Sequence, residues 1–380
     1  MKLLDVIFSR NEKTHTAVRK RRHCTAGTIH AYQRQQQDGP LSDQHSHAYY
    51  PPSHQANLRR SPRPSSSRSR RSPTAHTSPR PSSSRSRHSP PPEYTTDPST
   101  RDTLRDTARQ TQTILPPVLA RLGRTSDAQQ SLKHNLSNPF RLDPATCPCL
   151  PHGARIRVVN DDTLNAAISL AHHKEDPFLP PAIVNFADRE RPGGGWLNGA
   201  VAQEEALCYR TSLSLSLETS RRTGHYPLAV YEAEVLYAPY VVVVRGDLAN
   251  GHRLLTDNLP AVSVLTVPAI RRPHLRRVGT LGHSHKYVFQ RDGDRNLTKD
   301  KMRLVLRTAA TYRHRNLVLG ALGCGVYANP PEDVAACWLE VLRENEFEGN
   351  WWRSVVFAVY DPKNEVNFDV FSRVLDGKLV

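Results

Sequence analysis

The chain has 380 residues, a formal net charge of +16 and a mean hydropathy of −0.59. It contains no run near the roughly 18 apolar residues of a membrane span, and its opening, MKLLDVIFSR, is a poor secretory signal. Its six cysteines form no CxxC pair and complete no cluster with His, so we expect no metal site. We expect the protein to lie in a reducing compartment, the nucleus or the cytoplasm.

The first quarter of the chain is more basic and less complex than the rest. The first 100 residues carry 17 Lys/Arg against 6 Asp/Glu, and the segment SPRPSSSRSR occurs twice, at 61–70 and 78–87. Such a segment buries too little apolar surface to offset the entropy of ordering it, so residues 1–97 are predicted to be a disordered tail. The tail could contact polyanions without reading sequence, with RKRR at 19–22 as a nuclear address, or it could bind nothing specific.

Residues 98–153 are predicted to be a helical extension of a core domain at 154–380. The extension begins with a helix that Ser99 or Thr100 could cap and that Pro116-Pro117 should end or kink. Its buried face is marked by Leu104, Ala108, Thr111 and Leu115. Residues 124–152 resemble a loop.

The core domain alternates between predicted strands and predicted helices. Strands are predicted at 155–160, 182–187, 240–247, 262–269, 317–323 and 354–361. Helices are predicted at 164–173, 203–217, 301–314 and 331–345. This alternation predicts a three-layer α/β/α fold with helices on both faces of a sheet. The sheet could be mixed, with strands 240–247 and 354–361 paired at an edge.

Two glycine loops follow predicted strands of this sheet. Gly193, Gly194 and Gly195 follow strand 182–187, whereas Gly323 and Gly325 follow strand 317–323. Ligands of open α/β sheets bind beyond the carboxyl ends of the strands, and glycine lets a backbone approach them closely. Successive N–H groups in such loops bind anions, so the pair suits a diphosphate. Each loop alone could equally be a plain turn.

A Gln-Glu-Glu triplet, residues 203–205, follows the first glycine loop after seven residues. Neighbouring helical residues point about 100° apart, so Glu204 and Glu205 are expected to have separate tasks. One could hold a substrate hydroxyl while the other, with a raised pKa, transfers a proton. Glycosidic cleavage needs such an acid, although acidic residues also commonly stabilise a helix start.

The stretch VNFADRERPGGGWLNGAVAQEE resembles the signature of the poly(ADP-ribose) glycohydrolases, most closely their microbial-type branch, which also occurs in fungi. The similarity extends over roughly residues 100–362, including LVLGALGCGVYANPPEDVA and SVVFAVYD. The resemblance implies a macrodomain fold that binds ADP-ribose and cleaves the ribose–ribose O-glycosidic bond of poly(ADP-ribose) without metal or cofactor. It also implies a role in reversing ADP-ribosylation, as in the DNA damage response.

The resemblance assigns residues by motif position. Glu205 would be the catalytic acid, Glu204 would hydrogen-bond the ribose hydroxyls, and Gln203 would position them. Asn185 would contact the terminal ribose, and Tyr327 would orient it where the family often carries Phe. The diphosphate would be enclosed by the backbone of Gly193, Gly194 and Gly195 on one side and of Gly323, Gly325 and Val326 on the other.

Two further departures from the family pattern bear on affinity. Asp188 replaces a small or amide residue, which would add negative charge near the ribose, and Leu322 replaces a frequent Trp. Two other functions stay open: an ADP-ribose reader without turnover, and an ADP-ribosyl hydrolase acting on modified protein or nucleic acid. The expected partners are poly(ADP-ribose) and ADP-ribosylated proteins, with the chain as a monomer and no membrane contact.

Overall fold

The computed structural model describes residues 97–136, 141–172, 179–279 and 286–380. The predicted tail therefore lies outside the described residues, apart from Asp97. That residue caps the first helix, α1 (Pro98–Leu122), by accepting from the amides of Ser99 and Thr100. The predicted cap at Ser99 or Thr100 is wrong, because the better acceptor is the carboxylate that precedes them.

Helix α1 continues through Pro116 and Pro117 instead of ending there. Proline removes helical hydrogen bonds, so tertiary contacts must hold this segment in place. Leu115 and Leu119, on either side of the proline pair, are fully buried in an apolar cluster with the central sheet. The burial of these leucines thus outweighs the tendency of the two prolines to end the helix.

The region 124–152, predicted to be loop, contains a short helix, α2 (Thr125–Gln129), and a strand, β1 (Leu132–Asn135). Strand β1 has the sequence LKHN, which shows no apolar alternation, and it lies antiparallel at the sheet edge. Such an edge strand cannot be recognised from its sequence, because it is held by backbone hydrogen bonds and not by the burial of alternating apolar side chains.

Strand β1 belongs to the main sheet. In the part of the chain that the structure describes, the other members of this sheet are β2 (Ile156–Val159), β3 (Ala182–Phe186), β4 (Glu234–Val242), β5 (Ala261–Val267), β8 (Asn316–Leu319) and β9 (Ser354–Ala358). These seven strands lie in the order β1-β4-β5-β3-β8-β9-β2. Two further strands, β6 (Leu275–Val278) and β7 (Lys286–Phe289), form a separate antiparallel pair. This pair was not among the strands predicted from the sequence.

The sheet is mixed, as predicted, but the pairing differs. Strands β5, β3, β8, β9 and β2 run parallel, whereas β4 is antiparallel to both β5 and β1. Strand β9 lies inside the sheet between β8 and β2, so its predicted place at an edge is wrong. Strand β4 starts at Glu234, ahead of the predicted start, because its mostly apolar first half also pairs with β5 and β1. Its register with β5 shifts between Ala238 and Val241, where Pro239 lies.

The described ranges contain six more helices. They are α3 (Thr163–His172), α4 (Gln203–Arg210), α5 (Leu213–Arg222), α6 (Asp292–Thr311), α7 (Pro331–Leu342) and α8 (Asn367–Leu375). The predicted single helix 203–217 is two helices, because Thr211 adopts an extended conformation and bridges to Val243. Helix α8 was not predicted.

Helices cover both faces of the sheet. Val184 of β3 belongs to the apolar core shared with α6, α7 and α8, while its neighbour Ile183 belongs to the core shared with α1, α3, α4 and α5. Side chains alternate across a strand, so one strand supplies both cores. The three-layer α/β/α prediction is confirmed. No helix in the described ranges is long and apolar enough to span a membrane.

The parallel strands bring their carboxyl ends to one edge of the sheet. After β3 the chain leads to β4 and then β5 on one side, and after β8 it leads to β9 on the other. Such a reversal opens a crevice between the two strands. Both predicted glycine loops lie at this edge.

Candidate active site

The first glycine loop is a tight turn directly above the acidic pair. Gly193 and Gly194 have φ of 78° and 60°, a region that favours glycine. The Gly194 amide donates to Arg191 O at 2.8 Å. A Cβ on Gly194 would overlap Oε1 of Glu205 and lie 3.2 Å from Oε2 of Glu204. The turn can rest on both carboxylates only because it carries no side chain there.

Gln203 anchors the start of α4 to β3. Strand β3 pairs with β8 only at Ala182 and Ile183, although it follows β5 along its whole length. Beyond that point the Gln203 side chain replaces β8: its Oε1 accepts from Phe186 N at 2.8 Å and its Nε2 donates to Val184 O at 2.6 Å. Both ends of the amide are thus used by the backbone, which fixes the position of the two glutamates that follow.

Glu204 is held as an acceptor on both oxygens. Its Oε1 accepts from Asn185 Nδ2 and from Gly193 N, each at 3.2 Å, and its Oε2 accepts from Asp188 N at 2.7 Å. Only 2% of the residue is exposed. Burial raises its pKa to about 8, the charge of Glu205 adds to this, and the donors from Asp188 and Asn185 oppose it.

Glu205 is held more loosely. Its Oε1 accepts from Gly195 N at 2.8 Å, while its Oε2 makes no hydrogen bond to another residue of the described part. Burial raises its pKa as well, against the Gly195 hydrogen bond. The two glutamates have different partners, as expected, but both reach Gly194, because helical side chains lean toward the N-terminus of the helix.

Asn185 is fully buried at the end of β3, beside Glu204. Its Nδ2 donates to Glu204 and, at 3.2 Å, to Thr266 Oγ1. Its Oδ1 is buried without a partner among the described residues. Buried acceptors are rarely left unpaired, so this atom is suited to a ligand hydroxyl.

The second glycine loop is a braced turn with an open tip. Gly323 has φ of 75°, and a Cβ there would lie 2.6 Å from that of Ala269. Asn329 closes the turn with its amide, which donates to Gly323 O at 3.0 Å. In contrast, nothing lies within 4 Å of a Cβ built on Gly325, and Val326 is 47% exposed. The tip therefore offers accessible backbone.

Tyr327 brings the second loop close to the acidic pair. Burial raises the pKa of its phenol, and the negative charges of Asp188 and Glu204 raise it further, while the charge of Arg271 opposes them. Those influences place the phenol near Asp188 and Glu204. Asp188 itself folds its carboxylate back onto the amides of Glu190 and Arg191, at 2.8 Å and 3.0 Å.

Tyr226 is a site residue that the sequence analysis missed. It is 9% exposed, and its hydroxyl is buried without a partner in the described ranges. Burial raises the pKa of this phenol, with the charge of Glu204 as the next cause. The following loop is tied to the first glycine loop, since Leu228 N donates to Arg189 O at 2.9 Å. A Tyr-Pro step between a helix and a strand gives no signal by itself.

The described residues hold no cluster of His, Cys, Asp or Glu arranged for a metal ion. Their chemistry is that of a buried carboxyl pair with raised pKa values, overlain by a backbone turn and flanked by unpaired oxygen atoms. Such a pair keeps a proton near neutral pH.

Comparison with known proteins identifies relatives of this chain. Residues 95–246 match the family model of the microbial-type PARG catalytic domain. No curated protein sequence matches. Among solved structures, poly(ADP-ribose) glycohydrolase of Thermomonospora curvata has 29% identity and a TM-score of 0.58, over 72% of this chain and 99% of that chain.

Two complexes are also similar. The Thermomonospora curvata enzyme bound to the inhibitor ADP-HPD has 30% identity and a TM-score of 0.56, over 72% of this chain and 99% of that one. The Deinococcus radiodurans enzyme in complex with ADP-ribose has 29% identity and a TM-score of 0.52, over 67% and 97%. The chain therefore belongs to the microbial-type poly(ADP-ribose) glycohydrolases.

Proposed function

We propose that this chain hydrolyses the ribose–ribose O-glycosidic bond of poly(ADP-ribose) and releases ADP-ribose, with Glu205 as general acid and base. The observation that carries the assignment is the placement of Glu205: buried, raised in pKa, fixed by Gly195 N through one oxygen and free at the other.

The diphosphate of the substrate is assigned to the crevice between the two glycine loops. Backbone N–H groups in such turns bind anions, and the N-terminus of α4 adds partial positive charge. The turn of Gly193, Gly194 and Gly195 supplies one side. The exposed tip at Gly325 and Val326 supplies the other, because no side chain of the described residues blocks it.

The ribose next to the scissile bond is assigned to the buried polar atoms beside Glu204. Asn185 Oδ1 can accept from a ribose hydroxyl, and the hydroxyl of Tyr226 can donate or accept. Tyr327, half-buried above them, can pack against the sugar. Glu204 completes the set by accepting from ribose hydroxyls with its remaining lone pairs.

The hydrogen bonds of Glu204 and Glu205 indicate which of the two carboxyl groups carries the proton that is transferred. Both oxygens of Glu204 already accept from N–H donors, so the proton of the pair is best accommodated on Glu205 Oε2. From there it passes to the departing ribose oxygen as the glycosidic bond breaks. The resulting carboxylate takes a proton from water, whose oxygen attacks the anomeric carbon. The negative charges of Glu204 and Asp188 stabilise the oxocarbenium-like transition state.

A reader without turnover is the competing function, and the burial of Glu205 counts against it. Keeping a second carboxyl buried beside Glu204 costs stability at neutral pH, and a protein that only binds gains nothing from it. The test is incubation of the purified chain with labelled poly(ADP-ribose) and with mono-ADP-ribosylated protein and nucleic acid. Free ADP-ribose from the polymer is expected. Binding without release would identify a reader, and release only from the mono-modified substrates would identify a different hydrolase.

A further inference from the structure

The separate strand pair β6–β7 and the loop before it form a surface rich in positive charge. We call the exposed residues Arg271, Arg272, Arg276, Arg277 and Lys286 the basic hairpin. Neither stretch that supplies them, 268–279 or 286–290, contains an Asp or a Glu. No side chain of the basic hairpin makes a salt bridge within the described ranges.

The basic hairpin is fixed to the second glycine loop. Arg272 N donates to Tyr327 O at 2.7 Å, and Asn329 Nδ2 donates to Ile270 O at 2.7 Å. On the other strand, Phe289 N donates to the buried carboxylate of Asp333 at 3.0 Å. These bonds hold the charges at the same edge of the sheet as the acidic pair.

The charges of the basic hairpin are uncompensated, unlike those of the neighbouring helix. In α6, Arg295, Arg303 and Arg307 each pair with a carboxylate at 2.8 Å or less. In the strand pair, the register sets Arg276 opposite Val288 and Lys286 opposite Val278, so the two cations are diagonal neighbours on one face. Diagonal neighbours are still within reach of each other when their side chains are long, so an anion bound between these two cations would relieve their repulsion. The alternative explanation is that these positive charges only prevent the exposed strands β6 and β7 from pairing with strands of other molecules.

The field of this surface extends into the candidate active site. The Arg271 guanidinium opposes the rise in the pKa of Tyr327, which also senses Glu204 and Asp188. The bond broken in the polymer lies beside these groups under the proposed function. The ADP-ribose unit on the leaving side of that bond therefore starts next to Tyr327 and carries its own diphosphate.

We propose that the basic hairpin binds the diphosphate of the ADP-ribose unit on the leaving side of the scissile bond. The inference rests on the proposed function and adds a second anion site to it. A second anion site would give the polymer a higher kcat/KM than binding of its terminal ADP-ribose unit alone would give. Arginine suits this task because its planar guanidinium matches phosphate oxygens.

The test compares Arg276→Gln/Lys286→Gln, which removes the two cations that share one face, with Arg313→Gln/Arg343→Gln. The control removes two exposed arginines next to β8 and after α7, at the opposite edge of the sheet. For the hairpin variant we expect kcat/KM on long polymer to fall about 5- to 20-fold at low salt. The log–log salt slope should become shallower by about 1.4, because each phosphate contact releases roughly 0.7 counterion. The Kd for ADP-ribose should stay within about 2-fold, and the control should change neither quantity.

Three outcomes would overturn the inference: equal loss in both variants, an unchanged salt slope in the hairpin variant, or loss of single-stranded RNA binding with polymer kinetics unchanged. The last outcome would mark a nucleic-acid surface. Failure of the proposed function is seen separately, because wild-type protein would then release no ADP-ribose. In that case polymer and ADP-ribose affinities, measured directly for the same variants, still test the second site.

Discussion

The backbone of Gly194 lies against the carboxylate of Glu205 so closely that one methyl group would overlap Oε1. The same turn donates the Gly195 amide to that carboxylate at 2.8 Å. The turn assigned to the diphosphate and the group assigned to proton transfer are therefore one structural unit. A change in the turn alters both.

Gly194→Ala should abolish most activity. The added Cβ displaces Glu205 and strains a φ of 60°, so we expect kcat/KM to fall at least about 100-fold, as for a displaced general acid. Gly123→Ala is the matched control, with φ of 64° and nothing within 4 Å of the new Cβ. It should cost about 1 kcal/mol of stability from the left-handed conformation alone and leave kcat/KM unchanged. Similar activity in both variants would contradict the steric explanation.

Glu205→Gln should separate binding from turnover. The amide oxygen can still accept from Gly195 N, so calorimetry should give a Kd for ADP-ribose within a few-fold of wild type. Without an acidic proton, kcat should fall by about 10² to 10⁴. Glu190→Gln, at an exposed residue of the same segment, should keep wild-type kcat. Polymer digestion by Glu205→Gln at close to the wild-type rate would remove this residue from its assigned role.

Tyr226→Phe should weaken binding without weakening the fold. The lost hydroxyl has no protein partner in the described part, so the free energy of unfolding should stay the same or rise by up to about 1 kcal/mol, while ADP-ribose affinity drops about 3- to 10-fold. Tyr209→Phe provides the contrast, because that hydroxyl donates to Trp196 O at 2.8 Å or Ala200 O at 2.9 Å. It should lower stability by roughly 1–2 kcal/mol. Loss of stability in Tyr226→Phe would show that the hydroxyl has a structural role.

Glu204 and Glu205 share one proton near neutral pH, and the raised pKa of this pair predicts a pH-dependent stability. The folded pKa of about 8 at Glu204 exceeds the ordinary 4.5, so the folded state binds this proton more tightly than the unfolded state does. The stabilisation is complete below pH 4.5 and is lost as the pH rises to about 8, by up to roughly 5 kcal/mol. Denaturant titrations from pH 5 to 8 should show this decline in wild type and a flatter profile in Glu204→Gln. The exposed Glu218, whose pKa its hydrogen bond to Arg221 lowers, provides a control, Glu218→Gln, that should keep the decline. A wild-type free energy that rises over this range would refute the assignment.

The layered fold could be predicted because burial leaves a pattern in sequence. Strands such as AIVNF of β3 are apolar throughout, and the glycine loops follow them directly. Elements defined by pairing rather than by burial were missed, such as the polar strand β1 and the pair β6–β7. The break between α4 and α5 was missed too, because Thr211 leaves the helix and bridges to Val243, just after β4, a contact that no local propensity encodes.

The site was predictable where residues are close in sequence. The short spacing between Gly195 and Glu205 places the first glycine loop next to the start of α4. The partners of these residues come from distant segments: Tyr226 arrives through a loop tied to Arg189, and Arg271 through the connection after β5. Sequence spacing cannot show which of two adjacent carboxyls has both oxygens occupied, whereas the hydrogen bonds of Glu204 do.

The substitution of a strand by the Gln203 side chain has a consequence for hydrogen exchange. The amide of Phe186 sits at the centre of the sheet yet is bonded to a side chain instead of to β8. The protection of this amide from exchange with solvent deuterium therefore reports whether the Gln203 side chain, at the start of α4, is bound to β3. In a protein that is otherwise fully folded, rapid labelling at this one amide would reveal a displaced α4 before any loss of global structure.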